Sequence, residues 1–101
     1  MMTVVTTTTL RSGAEAEWDG AMRERFESAR TREGWISGQL LTPDDASPTR
    51  VIVGTWRRRE DWESWHSDPA FLEQRATLER LELEPSRSEW YRVVADARAE
   101  G

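Results

Sequence analysis

The sequence predicts an α+β domain in which a four-stranded antiparallel sheet carries two helices on one face. Three observations lead to this prediction. Four β-branched or apolar segments alternate with two amphipathic ones, a turn rich in Pro and Asp joins the middle two strands, and no segment repeats. The order strand, helix, strand, strand, helix, strand is that of the ferredoxin-like fold.

The first strand and the first helix are predicted from the first third of the chain. Residues 2–10 are almost all Thr and Val, whose branched side chains favour a strand. Ser12 and Glu15 have the spacing of a capping box, which predicts the start of a helix. Apolar residues then recur at helical intervals, so we expect this helix to end near Gly34. These apolar residues are Ala14, Trp18, Ala21, Met22, Phe26 and Ala29.

The middle of the chain predicts a hairpin. Residues 35–42 form the second strand and residues 49–56 the third, because both are rich in residues that favour strands. Residues 43–48 contain two Pro and two Asp, a composition typical of a turn. The third strand is the most apolar of the four, so we expect it to lie centrally in the sheet.

The second helix is expected to be broken. The pattern is helical from Glu60, but Asp68 and Pro69 suit an N-cap and a first helical position, so a new helix is predicted to begin there. This helix stops before Pro85. Residues 88–95 then form the last strand.

Missing residue types exclude several classes of chemistry. The chain has no Cys, which excludes disulfides, iron–sulfur clusters, Cys-based zinc sites and thiol nucleophiles. All 14 basic residues are Arg, so Schiff-base lysines and a P-loop are excluded as well. A net charge of -5 disfavours binding to nucleic acid, and no apolar run is long enough for a membrane span. We expect a cytoplasmic protein with one domain, residues 1–95, and a frayed tail, residues 96–101.

Tryptophan dominates the predicted core. The six Trp residues compensate for few aliphatic residues, because each ring system buries about 150 to 250 Å². A sheet with helices on one face leaves its other face bare, and bare apolar sheet surface is normally hidden against a partner. We therefore expect a homodimer that joins sheet to sheet.

Residues 53–71 resemble a known family. They read Val-Gly-Thr-Trp-Arg-Arg-Arg-Glu-Asp-Trp-Glu-Ser-Trp-His-Ser-Asp-Pro-Ala-Phe. A strand that ends in Trp, a short acidic segment and an aromatic–x–x–Trp pattern resemble the antibiotic biosynthesis monooxygenase family, and the matching positions are Trp56, Glu60, Trp62 and Trp65. The resemblance implies a dimeric α+β barrel.

The resemblance also implies a function. Some members are cofactor-independent monooxygenases, so the expected reaction is oxidation by dioxygen of a small aromatic or polyketide-like substrate of the anthrone or hydroquinone type. Such a site needs an apolar slot, donors for a developing oxyanion and a base. The expected catalytic residues are Trp65, His66 and Arg75. The expected substrate-binding residues are Thr6, Thr8, Gln39, Trp56 and Phe71.

Haem degradation, another activity in this family, is disfavoured. Members with that activity carry an Asn on the first strand and a later His that ligates iron. The corresponding positions here are Thr8 and either Gln74 or Arg75, none of which is an ordinary iron ligand. We expect no metal and no cofactor. Two alternatives stay open: a non-catalytic dimeric barrel that binds a hydrophobic ligand, and a cyclase or isomerase that acts on a polyketide-like chain.

Each candidate also has a plain structural explanation. Trp in a small domain most often belongs to the core, and alternate Thr residues mostly reflect strand propensity. His66 directly follows Trp65, so it should point to another side of the helix unless the break at Pro69 turns it inward. The tryptophans expected to serve only as core or dimer contacts are Trp18, Trp35, Trp62 and Trp90.

Overall fold

The computed structural model describes residues 1–100, and within them the chain forms four strands and three helices. In chain order these are β1 (Met2–Thr9), α1 (Glu15–Ala29), β2 (Trp35–Leu41), β3 (Thr49–Trp56), α2 (Arg59–His66), α3 (Pro69–Arg80) and β4 (Arg87–Arg92). All neighbouring strands are antiparallel, and their order in the sheet is β2-β3-β1-β4. The predicted ferredoxin-like fold and the central position of the third strand are confirmed.

Helix α1 begins in a different way from the prediction. Its N-cap is Ala14, and no side chain caps the helix, so the capping box assigned to Ser12 and Glu15 is wrong. Gly13 adopts a positive φ of 81°, which places a turn between Ser12 and the first helical residue. The Ser12 side chain is therefore two residues too early to cap α1.

Gly34 marks the start of β2 rather than the end of α1. The helix ends at Ala29, and the chain turns before Gly34, whose φ of 85° is open to glycine at little cost. A side chain here would also overlap the carboxylate of Asp61 on α2. The loop after α1 can therefore approach α2 closely only with glycine at this position.

The predicted break in the second helix is confirmed. α2 ends at His66 and α3 begins at Pro69. Asp68 caps α3, since its Oδ1 accepts a hydrogen bond from the backbone N–H of Ala70 at 2.9 Å. Arg32 donates to the other carboxylate oxygen at 3.2 Å. The bond from Ala70, with the smaller contribution of Arg32, lowers the pKa of Asp68 below its ordinary value.

The core lies between the helices and the sheet, in two clusters of buried residues. The first is mainly aromatic and consists of Val4, Ala29, Trp56, Trp65 and Phe71. The second is mainly aliphatic and consists of Leu10, Trp18, Met22 and Leu78. Both clusters have members in α1, so this helix spans the whole core.

The other face of the sheet carries no helix. Thr6 and Thr8 point towards the helices, so Val5 and Thr7 point away from them. Val53 pairs directly with Val5 in β3 and points the same way. An apolar strip therefore runs along the two central strands of this uncovered face, where the sequence predicts a second copy of the chain.

Smaller differences concern the ends of elements. The first strand stops at Thr9, and Leu10 forms an isolated bridge with Glu82. β4 ends at Arg92, three residues before the predicted end of the last strand. The domain boundary at residue 95 and the frayed tail, residues 96–101, stay predictions, and Gly101 lies outside the described residues. None of the helices within residues 1–100 has the length and apolar character to cross a membrane.

Candidate active site

A cavity of about 270 Å³ lies between the helices and the sheet. Its volume is close to the roughly 300 Å³ at which small-molecule sites begin. The aromatic residues that line it are Trp18, Phe26, Trp35, Trp56, Trp62 and Trp65. The polar and charged residues that line it are Thr6, Thr8, Arg25, His66, Arg75, Glu79, Glu82, Ser86 and Ser88. The cavity can therefore hold a small flat molecule against aromatic walls with polar groups within the same space.

Trp65 lies at the centre of the aromatic wall. Its ring centroid is 5.4 Å from that of Trp56 and 4.7 Å from that of Phe71. Trp56 is 2% exposed and Trp65 6% exposed. Trp62 extends the aromatic cluster through an edge contact with Trp90, whose ring centroid is 5.0 Å away. Tilted and edge-on contacts of this kind fix ring orientation, so this wall of the cavity is preorganised.

His66 lines the cavity. Its ring therefore points inward, the orientation that we expected only if the break before Pro69 turned the residue towards the core. Its ring centroid lies 3.5 Å from that of Trp62 and 4.0 Å from that of Phe71. Nδ1 is 2.8 Å from the carbonyl oxygen of Trp62, and because a carbonyl only accepts, Nδ1 carries the proton. Burial lowers the pKa of His66 to about 3, so the ring is neutral near pH 7 and Nε2 is a weakly basic acceptor.

Arg25 on α1 is a site residue that the sequence analysis missed. Its guanidinium carbon lies 3.9 Å from the ring centroid of Phe71 and 5.3 Å from that of Trp65. Its Nε is buried without a hydrogen-bond partner among residues 1–100. Burial is the largest cause that lowers the pKa of Arg25 to about 10, and the nearby charge of Arg75 adds to the effect. Arg25 therefore stays charged near neutral pH inside an aromatic environment.

Glu82, just after α3, is the second residue that was missed. Its Oε2 accepts a hydrogen bond from Nε1 of Trp18 at 3.1 Å. Burial raises the pKa of Glu82 above its ordinary value and Glu79 adds to the rise, while the Trp18 hydrogen bond opposes it. The buried hydroxyl of Thr8 lines the same cavity and forms no hydrogen bond of 3.5 Å or less within residues 1–100, although it lies close enough to Glu82 to lower the pKa of that carboxyl group. The cavity thus contains a carboxyl group whose proton affinity is increased and a hydroxyl available to a ligand.

The structure brings together most of the residues that the sequence analysis assigned to a site. Those that line the cavity are Thr6, Thr8, Trp56, Trp65, His66 and Arg75. The Thr6 hydroxyl is already bonded to Ser88 Oγ at 2.8 Å, and Arg75 is ion-paired with Glu79 at 2.7 Å.

Two of the assigned residues do not line the cavity. Phe71 is 2% exposed and lies behind Trp65, where it supports the wall. Gln39 lies in a groove on the opposite face of the sheet, beside Thr3 and Val53, so its amide is remote from a ligand in the cavity. The alternation of β2 explains this position, because the neighbouring Gly38 faces α1, where an added Cβ would lie 3.1 Å from Phe26.

Comparison with known proteins places these features in a family. The sequence profile described as antibiotic biosynthesis monooxygenase matches residues 1–77. No curated protein sequence matches the chain. A solved structure from Nitrosomonas europaea, assigned to the antibiotic biosynthesis monooxygenases, is 17% identical, with a TM-score of 0.86 over 94% of this chain and 100% of that chain.

Two further solved structures share the fold. SnoaB from Streptomyces nogalater, described as a cofactor-independent oxygenase, is 20% identical, with a TM-score of 0.84 over 94% of both chains. Rv0793 from Mycobacterium tuberculosis is 18% identical, with a TM-score of 0.84 over 96% of this chain and 98% of that chain. The profile match covers β1 to most of α3, which contribute most of the cavity lining; the lining residues beyond the match are Leu78, Glu79, Glu82, Ser86 and Ser88. The chain therefore belongs to the antibiotic biosynthesis monooxygenase family.

Proposed function

We propose that the protein is a cofactor-independent monooxygenase that oxidises a small aromatic or polyketide-like substrate of the anthrone or hydroquinone type with dioxygen. The observation that carries this proposal is the aromatic cavity beneath the helices, which also contains an acidic group, a cationic group and a free hydroxyl. Family membership supports the proposal. The description of SnoaB, which shares the fold, as a cofactor-independent oxygenase supports it as well.

In the proposed reaction the substrate supplies the electrons. An anthrone loses a proton from its methylene carbon, and the resulting enolate passes an electron to dioxygen. A carbon–oxygen bond then forms at that carbon, the second hydrogen leaves it, and the other oxygen atom departs as water. One anthrone and one dioxygen thus give one quinone and one water. The protein needs to bind the substrate, accept its proton and stabilise the enolate oxygen.

The cavity offers a residue for each of these tasks. Trp56 and Trp65 form the wall on which a flat ring system packs. The unpartnered Thr8 hydroxyl donates a hydrogen bond to the substrate. Glu82 is the better proton acceptor, because burial raises its pKa, whereas a pKa of about 3 makes His66 a weak base. His66 is then left to accept a hydrogen bond from a substrate hydroxyl through Nε2.

A homodimer is part of the proposal. Val5, Val51 and Val53 lie on the uncovered face of the sheet, and a second copy of the chain would remove them from water. Sedimentation velocity at micromolar concentration is expected to give a dimer. A single monomeric species would contradict this part of the proposal. The cytoplasmic location stays a prediction from the sequence.

Oxygen uptake tests the activity. The purified protein is mixed with 1,8-dihydroxyanthrone or a naphthohydroquinone in an oxygen-electrode cell, the rate is corrected for spontaneous oxidation, and products are identified by mass. We expect quinone formation in the wild type and a rate lower by about tenfold or more in Thr8→Val and Trp65→Phe. Matched controls are Thr7→Val, which changes the other face of the sheet, and Trp90→Phe, which lies outside the cavity lining.

The alternatives give different results in the same assay. If both site variants keep the wild-type rate, the assignment of Thr8 and Trp65 is wrong. Binding of aromatic compounds without oxygen uptake would favour a non-catalytic barrel. A product with the same mass as its substrate would favour a cyclase or isomerase.

A further inference from the structure

Arg25 carries a largely buried charge that has no ion-pair partner within residues 1–100, although Glu79 and Glu82 lie close enough to raise its pKa. Within residues 1–100 no carboxylate oxygen lies within 4.0 Å of its nitrogens. Its Nε has no hydrogen-bond partner either. A guanidinium removed from water without a partner is costly, so buried charges are normally paired. An unpaired one that lines a cavity therefore indicates a missing anionic partner.

The aromatic rings around Arg25 position this charge but do not neutralise it. The guanidinium lies over the face of Phe71 at 3.9 Å and near Trp65 at 5.3 Å. Contact with a ring face compensates part of the lost hydration. It leaves the N–H groups at the edge of the guanidinium plane free for hydrogen bonds. The stacking thus holds Arg25 in an orientation suited to an acceptor in the plane of its donors.

The nearest acidic residues are engaged elsewhere. Glu79 forms an ion pair with Arg75 at 2.7 Å, and Glu82 accepts the hydrogen bond of Trp18. Both carboxylates raise the pKa of Arg25, but burial lowers it by more. Arg75 also lines the cavity and lowers the pKa of Arg25, which means that two like charges lie close together. Because Glu79 pairs with Arg75, Arg25 is the cation of the cavity lining that has no ion-pair partner within residues 1–100, and this favours an anionic group of a ligand beside it.

We propose that the cavity takes a flat aromatic ligand that carries an anionic oxygen, either a carboxylate or an ionised phenol or enolate, and that Arg25 binds this oxygen. The aromatic part of the ligand packs on Trp56 and Trp65, while the oxygen accepts charge-assisted hydrogen bonds from the guanidinium. The inference rests on the proposed function, because it names the substrate class of the same cavity. For an anthrone, Arg25 would hold the oxygen on which the enolate charge resides.

Binding without turnover tests this inference. Affinities are measured by calorimetry and tryptophan fluorescence under anaerobic conditions for 2-naphthoate and its neutral isostere 2-naphthamide. A second pair is 4-nitrophenol below and above its own pKa, which lies near neutrality, where Arg25 keeps its charge. We expect the wild type to bind the anionic form of at least one pair more tightly by about tenfold or more. Preference in the first pair identifies a carboxylate, and preference in the second identifies a phenolate.

Two variants separate Arg25 from general charge effects. Arg25→Gln is expected to bind the charged and neutral members of each pair equally. Arg23→Gln removes the same charge from an exposed position two residues away on α1 and is expected to keep the wild-type preference. Retention of the preference in Arg25→Gln would overturn the inference.

The wild-type measurement alone decides the matter if Arg25→Gln does not fold. Equal wild-type affinities for the charged and neutral members of both pairs would overturn the inference. That result would leave oxygen uptake with an anthrone unaffected. Absence of oxygen uptake would in turn contradict the proposed oxygenase and leave the anion preference in place, so the two failures are distinguishable.

Discussion

Two arginines, one on helix α1 and one that packs against it from β3, have different surroundings. Arg50, on β3, is 8% exposed, and its Nε and Nη2 donate to the two carboxylate oxygens of Asp19 at 2.9 and 3.1 Å. Arg25, six residues after Asp19 on α1, faces aromatic rings and has no carboxylate partner within residues 1–100. The comparison shows that the charge of Arg50 is neutralised within the protein, whereas the charge of Arg25 is available to the proposed ligand.

The pKa shifts of the two residues agree with this difference. The hydrogen bond to Asp19 is the largest cause that raises the pKa of Arg50. Burial is the largest cause that lowers the pKa of Arg25. Stabilising partners are therefore present at the Asp19 end of the core and missing at the aromatic end. Substitutions at the two ends should consequently affect stability and activity in opposite ways.

Glu82→Gln should have the largest effect of these substitutions. It should lower the activity without lowering the stability. Removal of the proposed proton acceptor should lower the rate of quinone formation by about a hundredfold, or roughly 2.7 kcal/mol. Wild-type activity should increase with pH through the raised pKa of Glu82, because the base must be ionised to accept a proton. The variant should lack this limb of the pH–rate profile.

Stability gives the control for this variant. A carboxyl group whose folded-state pKa is raised stabilises the fold below its unfolded pKa, and this contribution is lost as pH rises through the folded value. Glu82→Gln should therefore be at least as stable as the wild type at neutral pH. A wild-type rate with an unchanged pH profile would rule out Glu82 as the base.

Asp19→Asn should have the largest effect on stability. It leaves Arg50 buried without its anionic partner, so the free energy of unfolding should fall by about 2 kcal/mol. Urea unfolding followed by far-UV circular dichroism measures the change. Glu17→Gln, in the exposed pair with Arg80, is the matched control and should change it by less than about 0.5 kcal/mol. Equal losses in the two variants would show that the Arg50 pair has no special structural role.

Arg25→Met should have a smaller effect of the opposite sign. The variant keeps an unbranched apolar side chain on the Phe71 ring and removes an unpaired buried charge. The free energy of unfolding should therefore rise by about 1 kcal/mol. In a domain of this size that corresponds to a higher Tm by roughly 4 to 8 °C. A loss of stability comparable to that of Asp19→Asn would make Arg25 a structural residue.

His66→Phe should have the smallest effect. It should change only the way in which the free energy of unfolding depends on pH. The pKa of His66 falls from 6.5 to about 3 on folding, so its contribution is complete above pH 6.5 and is lost as pH falls towards 3. Because the ring is partly exposed, the slope should be below the ideal value of about 1.4 kcal/mol per pH unit. The difference in the free energy of unfolding between the wild type and the variant, measured by urea unfolding at each pH, separates the contribution of His66 from that of the carboxylates. Parallel pH curves for the two proteins would contradict a depressed pKa.

Most of the fold could be predicted because its signals are local. Branched residues mark β1, and the pair Asp68–Pro69 marks the break between α2 and α3 through the capping bond to Ala70. The capping box failed because the turn at Gly13 depends on a backbone conformation that the spacing of Ser12 and Glu15 does not reveal.

The site was only partly predictable. The family pattern led to Trp56 and Trp65, which line the cavity. Arg25 was missed because charges on an amphipathic helix are usually solvated, yet it shares the buried face of α1 with Trp18, Met22 and Ala29. That spacing, three or four residues apart, was the available signal.

The assignment of Gln39 to the site shows another limit of sequence reasoning. β2 has no clean alternation of apolar and polar residues, and its register shifts between Trp35 and Ser37. The face on which each side chain lies was therefore not determined by the sequence pattern. In β1, whose pairing with β3 runs without a register shift, every second residue lies on the same face, so Thr6 and Thr8 lie on one side.

The junction between α2 and α3 has a dynamic consequence. Walls of the cavity come from both helices, which the chain connects through Ser67 and Asp68 and which also pack on each other through Phe71 against Trp65 and His66. The angle between the helices can change while each keeps its internal hydrogen bonds, so the junction is a natural hinge. Its stiffness depends on the contacts of the Asp68 carboxylate with Ala70 and Arg32. We therefore expect the rate at which molecules enter and leave the space beneath the helices to depend on Asp68, which lies outside that space, as well as on the packing of Phe71 against Trp65 and His66.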